Sequence, residues 1–236
     1  PHVETSAGII LPDAWIRAVT DAVHAVGGIF VLDCIASGCA WVDMAATGVD
    51  VLISAPQKGW SASPSAGVVV LSPRGEERLA ATDSNSFALD LKKWRAIMAA
   101  YEGGGHAYHA TMPTDAIVGF RDAMLETKAM GFAEAKAAQW ELGRAVRGLL
   151  AKKGVPSVAA EGYQAPGVVV SYTDQADVQN GAKFRAQGLQ IAAGVPLQVG
   201  EGAEFKTFRL GLFGLDKLKD VPATVARLER AVEAVL

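Results

Sequence analysis

Apolar residues recur at helical spacing from the first turn after Pro12: Trp15, Ile16, Val19, Ala22, Val23 and Val26. The fixed φ of Pro12 suits the start of a helix, and Gly27-Gly28 predicts a left-handed stop. The period then changes. Ile29-Phe30-Val31-Leu32 is a continuous apolar run ending in Asp33, the pattern of a strand buried on both faces. Val49 to Ser54 and Gly67 to Ser72 are two further runs of this kind. Helix and strands at this spacing predict an α/β layer with helices packed on a sheet.

Beyond Ser72 the helical period dominates, over Leu89 to Tyr101, Pro113 to Met130 and Phe132 to Lys153. Gly103-Gly104-Gly105 separates the first of these from the second. The helix from Phe132 is long enough to bridge two domains. Two more strands are predicted at Gly167 to Tyr172 and Thr207 to Phe213, and a final helix at Val221 to Val235. The chain therefore divides into an α/β part, residues 1–131, and a smaller C-terminal α+β domain, residues 132–236. No internal repeat or low-complexity segment interrupts it.

Composition narrows the function classes. Half of the 236 residues are hydrophobic and 20% are charged, ample for a packed core. Lys plus Arg number 22 against 25 Asp plus Glu, a net charge of −3. That balance argues against nucleic-acid binding and against a polybasic membrane surface. Cys34 and Cys39 are too few for a disulfide scaffold or a structural zinc site. No apolar run is long enough to cross a bilayer, and no signal peptide is visible, so a cytoplasmic location is expected. The opening on Pro1 hints at a piece of a longer chain.

Two residues stand out chemically. Asp33 ends a buried run, where open α/β sheets bind ligands; the alternative is a turn cap ahead of Ser37 and Gly38. Lys58 sits among small and polar residues in Ser54-Ala55-Pro56-Gln57-Lys58-Gly59-Trp60-Ser61, between two apolar runs. Partial burial there would lower its pKa and make it a nucleophile; the alternative is a solubilising edge charge. Together, a lysine amine and an aspartate for a pyridinium nitrogen are the minimum set for pyridoxal phosphate chemistry. Cys34 reads as a small buried filler, His24 as structural, and Trp15, Trp41, Trp94 and Trp140 as packing residues.

Three segments follow one another in order: His2-Val3-Glu4-Thr5-Ser6-Ala7-Gly8, Val31-Leu32-Asp33-Cys34-Ile35-Ala36-Ser37 and Ser54-Ala55-Pro56-Gln57-Lys58-Gly59-Trp60. With Tyr108-His109-Ala110-Thr111-Met112-Pro113 and Phe208-Arg209-Leu210-Gly211-Leu212-Phe213-Gly214, the chain resembles the class V pyridoxal-phosphate-dependent aminotransferases, the group of alanine–glyoxylate and serine–glyoxylate aminotransferases. The resemblance implies the fold type I, aspartate aminotransferase-like architecture. Residues 1–131 would be the C-terminal part of its three-layer α/β/α cofactor-binding domain. Family members carry a long segment ahead of the Glu-Thr-Ser stretch, which has no counterpart in these residues.

The resemblance also implies roles. Lys58 forms the Schiff base with pyridoxal 5'-phosphate and Asp33 pairs with the pyridine nitrogen. Thr5 approaches the ring hydroxyl and Gln57 the phosphate. Tyr108 and Thr111 reach the phosphate held by a neighbouring subunit, implying a homodimer with shared sites. Arg209 binds the substrate α-carboxylate as a planar fork; strand alternation places it with Gly211, opposite Phe208, Leu210 and Leu212. The implied reaction is amino transfer from a small amino acid of alanine or serine type to a 2-oxo acid such as glyoxylate. The alternatives are a related lyase or desulfurase, for which neither cysteine is suitably placed, and a cofactor-poor dimeric structural module.

Overall fold

The computed structural model describes residues 1–236. The chain opens with a small antiparallel hairpin, β1 (Val3–Glu4) and β2 (Ile9–Ile10). Helix α1 (Asp13–Ala25) follows from Pro12. Gly27 ends it at φ +74°, and the amides of Gly27 and Gly28 donate to the carbonyls of His24 and Val23. Only part of its apolar pattern is buried: Ile16 faces the sheet, while Trp15 is 48% exposed and packs neither a core nor a ring partner.

Strand β3 (Val31–Asp33) pairs in parallel with β4 (Val51–Ser54), which pairs in antiparallel fashion with β5 (Val68–Leu71). The short helix α2 (Met44–Thr47) lies between β3 and β4. The first strand is covered on one face, not both. Leu32 packs with Ile16 and Val49 beneath α1, but Val31, on the side of Asp33, is 53% exposed. Strand alternation sends the two residues in opposite directions, and α1 can cover only one of them.

Helix α3 (Pro73–Ala80), capped by the Ser72 hydroxyl on the Gly75 amide, was not apparent from the hydrophobic pattern because its interior is mostly charged. It leads to α4 (Leu91–Glu102), α5 (Thr114–Met130) and the long α6 (Phe132–Lys152). At 1.5 Å per residue α6 spans about 31 Å.

The second sheet is antiparallel. Its order is β6 (Val168–Tyr172), β8 (Thr207–Gly211), then β7 (Ala192–Ala193), with helices α7 (Ala176–Gln179) and α8 (Ala182–Ala186) between β6 and β7. Helices α9 (Leu215–Leu218) and α10 (Val221–Val235) close the chain. Leu142, Val146 and Leu150 of α6, Val169 of β6, Phe208 and Leu210 of β8, and Val232 of α10 belong to one core cluster of 17 buried residues. No helix is long and apolar enough to cross a membrane.

Candidate functional site

Asp33 and Lys58 leave the same edge of the parallel pair. Asp33 is level with Ile53, and β4 ends one residue later. Asp33 is half-buried and its Oδ1 accepts the Ile35 amide at 2.9 Å. It therefore does cap the turn, as the alternative reading expects, yet it leaves its second carboxylate oxygen without a partner in the chain.

Lys58 departs from expectation. The loop after β4 folds into a tight turn, with the Ser61 amide donating to the Lys58 carbonyl at 3.0 Å and the Ala62 amide to Pro56 at 3.0 Å. The turn carries the lysine outward, so its side chain is exposed instead of partly buried. No element of residues 1–236 covers it, and no acid or hydrogen-bond acceptor engages its amine. Gln57, beside it, is exposed and equally free. The loop itself is closely seated. A Cβ on Gly59 would come within 2.7 Å of the Gly38 carbonyl oxygen.

Thr5 sits in the turn of the β1–β2 hairpin, which two-residue strands hid from the sequence pattern. Glu4 builds that turn, accepting the Ser6 amide at 2.7 Å and the Ala7 amide at 2.8 Å. Burial works to raise the Glu4 pKa, but those amides and the charge of Arg209 together hold the carboxyl below its ordinary value. The hairpin is stitched to the Asp33 edge. The His2 amide donates to the Asp33 carbonyl at 2.7 Å, and the buried His2 ring lies 2.8 Å from the Ser37 hydroxyl. Burial lowers the His2 pKa to about 4, against the opposing pull of Asp13. On its other side Gly8, at φ +71°, lies where any Cβ would strike Val170.

Arg209 occupies the face of β8 opposite the buried Phe208 and Leu210, as alternation predicts. Its Nε donates to the Ala193 carbonyl at 2.8 Å, and no acid pairs with it. Beside it an added side chain on Gly211 would meet only open space. The hairpin turn packs over β6 at Val168 and Val170, and Val170 is level with Arg209. Thr5, Asp33 and Arg209 are thereby gathered around the junction of the two sheets. The loop that carries Lys58 reaches the same junction, since the Ser61 hydroxyl would lie 3.1 Å from a Cβ on Gly214, just past β8.

Tyr108 and Thr111 stand apart on the loop between α4 and α5. Tyr108 is 79% exposed, and its hydroxyl meets only that of Thr111, at 3.3 Å. His109 in the same loop is tied down, stacked on Phe87 with ring centroids 4.1 Å apart and bonded to the Phe87 carbonyl.

Trp41 and Trp60 pack against each other at 5.1 Å and line a cavity of about 150 Å³ with Cys34 and Leu52. Burial pushes the Cys34 and Cys39 thiols up to about 11, as fits inert packing residues. His24 is structural: its Nε2 lies 2.7 Å from buried Asp50 Oδ2, which also accepts the Phe30 amide. No three His, Cys, Asp or Glu side chains gather as a metal site would need.

No family model matches the chain. It is 28% identical over 218 residues to a 2-aminoethylphosphonate–pyruvate transaminase of Syntrophobacter fumaroxidans, covering 90% of this chain and 56% of that one. It is 26% identical to alanine–glyoxylate aminotransferase 1 of Saccharomyces cerevisiae, covering 91% of this chain and 56% of the relative. Among solved structures it superposes on an alanine–glyoxylate aminotransferase from Nostoc sp. with a TM-score of 0.81 at 24% identity, over 99% of this chain and 60% of that one. The chain thus spans 56–60% of the length of these three proteins.

Proposed function

We propose that this chain, a homologue of the class V aminotransferases with fold type I architecture over the part it spans, carries the lysine, aspartate and carboxylate-binding arginine of a pyridoxal-phosphate-dependent transamination site. The observation that supports this most strongly is the pairing of a free Lys58 amine with a free Asp33 carboxylate oxygen at one edge of β3–β4. Arg209, without an acid partner, lies across the junction of the two sheets.

The residues present fit the cofactor. Lys58 offers an amine with no competing acid, Asp33 an acceptor for a protonated ring nitrogen, Thr5 a hydroxyl, and Gln57 a free amide for the phosphate. When bound, pyridoxal phosphate supplies an electron sink for the pair left when a substrate C–H bond breaks.

The chain's own groups do the rest. Lys58 would hold the cofactor and, once released from it, would carry the proton of the substrate Cα to the cofactor carbon. The Asp33 carboxylate would hold the ring nitrogen in its protonated form. Arg209 fixes the substrate carboxylate by two parallel N–H donors, which orients the Cα–H toward the lysine. Tyr108 and Thr111, exposed and bonded only to each other, are free to serve the site of a partner subunit in a homodimer. The donor is a small amino acid of alanine or serine type and the acceptor a 2-oxo acid such as glyoxylate.

Titration with pyridoxal phosphate, followed by borohydride reduction and peptide mapping, tests the proposal. The expected label is on Lys58 and is lost in Lys58→Ala, and before reduction the cofactor is discharged from Lys58 by alanine or serine ahead of glyoxylate in a ping-pong cycle. A chain that takes up no cofactor would instead be the structural module. Discharge by 2-aminoethylphosphonate but not by alanine or serine would move the donor class.

A further inference from the structure

The C-terminal half of α6 covers a cavity of about 290 Å³ that shares no residue with the Lys58–Asp33 site. Its polar lining is Arg147, Ser157, Gln164 and Ser171, backed by Leu150 and Val155, and no acidic side chain contributes. Arg147 Nη2 donates to the carbonyls of Ala165 at 2.7 Å and Val168 at 3.1 Å. Its Nε is shielded from water and has no partner, and the same is true of the Ser157 hydroxyl. No carboxylate in the chain lies within ion-pair distance of Arg147. Burial alone brings the guanidinium pKa down to about 10.

A charge withdrawn from water without a counter-charge is costly, and so is each orphaned donor. Here Arg147 and Ser157, each carrying an unsatisfied donor, both contribute to the lining of the cavity, beside Ser171 and Gln164. The one charge in the lining is positive, and every polar side chain of the lining can donate.

We propose that this cavity binds a small oxyanion, a phosphate or phosphomonoester group, against Arg147, Ser157, Ser171 and Gln164. Its occupant also bears on the Thr5 hairpin: the Ala165 carbonyl accepts from Arg147, and the Ala165 amide donates to Gly8 at 2.9 Å.

Calorimetric titration of the 236-residue chain with inorganic phosphate tests the site. The expected result is one saturable event, weakened roughly tenfold in Arg147→Met and about threefold in Ser157→Ala. Arg147→Met also removes the bonds to Ala165 and Val168, so the double variant Ser157→Ala/Ser171→Ala reads the site while leaving them in place. Gln57→Ala separates this event from phosphate bound where the cofactor phosphate is expected, and leaves the titration unchanged. Absence of saturable binding, or an affinity unaltered by the double serine variant, overturns the proposal. Phenyl phosphate in a parallel titration tells a phosphorylated metabolite from the free anion. Tighter binding of the ester assigns the former and tighter binding of inorganic phosphate the latter, and either supports an oxyanion site.

Discussion

The two sheets of this molecule are held in contrasting ways. The β6–β8–β7 sheet lies against α6 and α10 with a continuous core of 17 buried residues. The β3–β4–β5 sheet has a cluster of 4, and the face carrying Asp33 is open at Val31. The residues proposed for the chemistry come mainly from the sparse side, with Arg209 supplied by the dense one. Groups that must meet a ligand cannot be used up in packing, whereas a carboxylate-binding arginine gains from a rigid strand behind it.

The sharpest way to break this comparison is to hollow out each side in turn. Phe208→Ala should cost about 3–5 kcal/mol by urea unfolding, the range for removing a fully buried aromatic. Leu32→Ala should cost less, near the bottom of the 2–5 kcal/mol range for aliphatic truncations, because its surroundings can collapse toward the open face. Equal losses would show that cluster size does not separate the two halves.

Acid should reach the junction through His2. Its pKa falls from 6.5 in the unfolded chain to about 4 when buried, so between those values the unfolded state binds more protons. The contribution is fully present above about pH 6.5 and lost as pH drops toward 4, about 3 kcal/mol in all. His2→Asn should flatten that slope in unfolding measurements from pH 7 to 4; an unchanged slope would place the acid sensitivity elsewhere.

Arg209→Lys separates function from packing on the dense side. Replacing the fork by a point charge should weaken amino acid substrates by about 1.5–3 kcal/mol while cofactor uptake and stability hold. If cofactor uptake collapses and substrate affinity does not, Arg209 is a structural residue. The smallest effect is expected from Lys58→Ala on folding. An exposed side chain with no partner should change stability by less than about 0.5 kcal/mol even as the cofactor linkage disappears. A larger change would mean that the amine is engaged in a way its exposure does not suggest.

Legibility in the sequence followed the same divide. Helix α6, β6, β8 and α10 were readable because their apolar positions are periodic and are all used by one core. The face of β8 on which Arg209 lies was readable for the same reason, while its proposed role came only from the resemblance. The exposure of Val31 was not, since an apolar run does not say whether a second layer covers it. Nor was the exposure of Lys58, which depends on a tight turn instead of a pattern. The hairpin bearing Thr5 and the strand β7 are only two residues each, too short for any period to register. The cavity beneath Arg147 was invisible because its residues come from α6, the loop after it and β6, and only the fold brings them together.

The close seating of the Lys58 loop has a genetic consequence. Where a side chain abuts a side chain, a damaging enlargement on one side can be rescued by a trimming mutation on the other. Beneath Gly59 the nearest atoms are the backbone of Gly38, which has nothing left to trim. A selection for second-site revertants of Gly59→Ala should therefore yield true reversions or distant loop changes, and none at position 38. The register of the lysine loop thus rests on two glycines that would have to change together with the backbone, not on a negotiable contact.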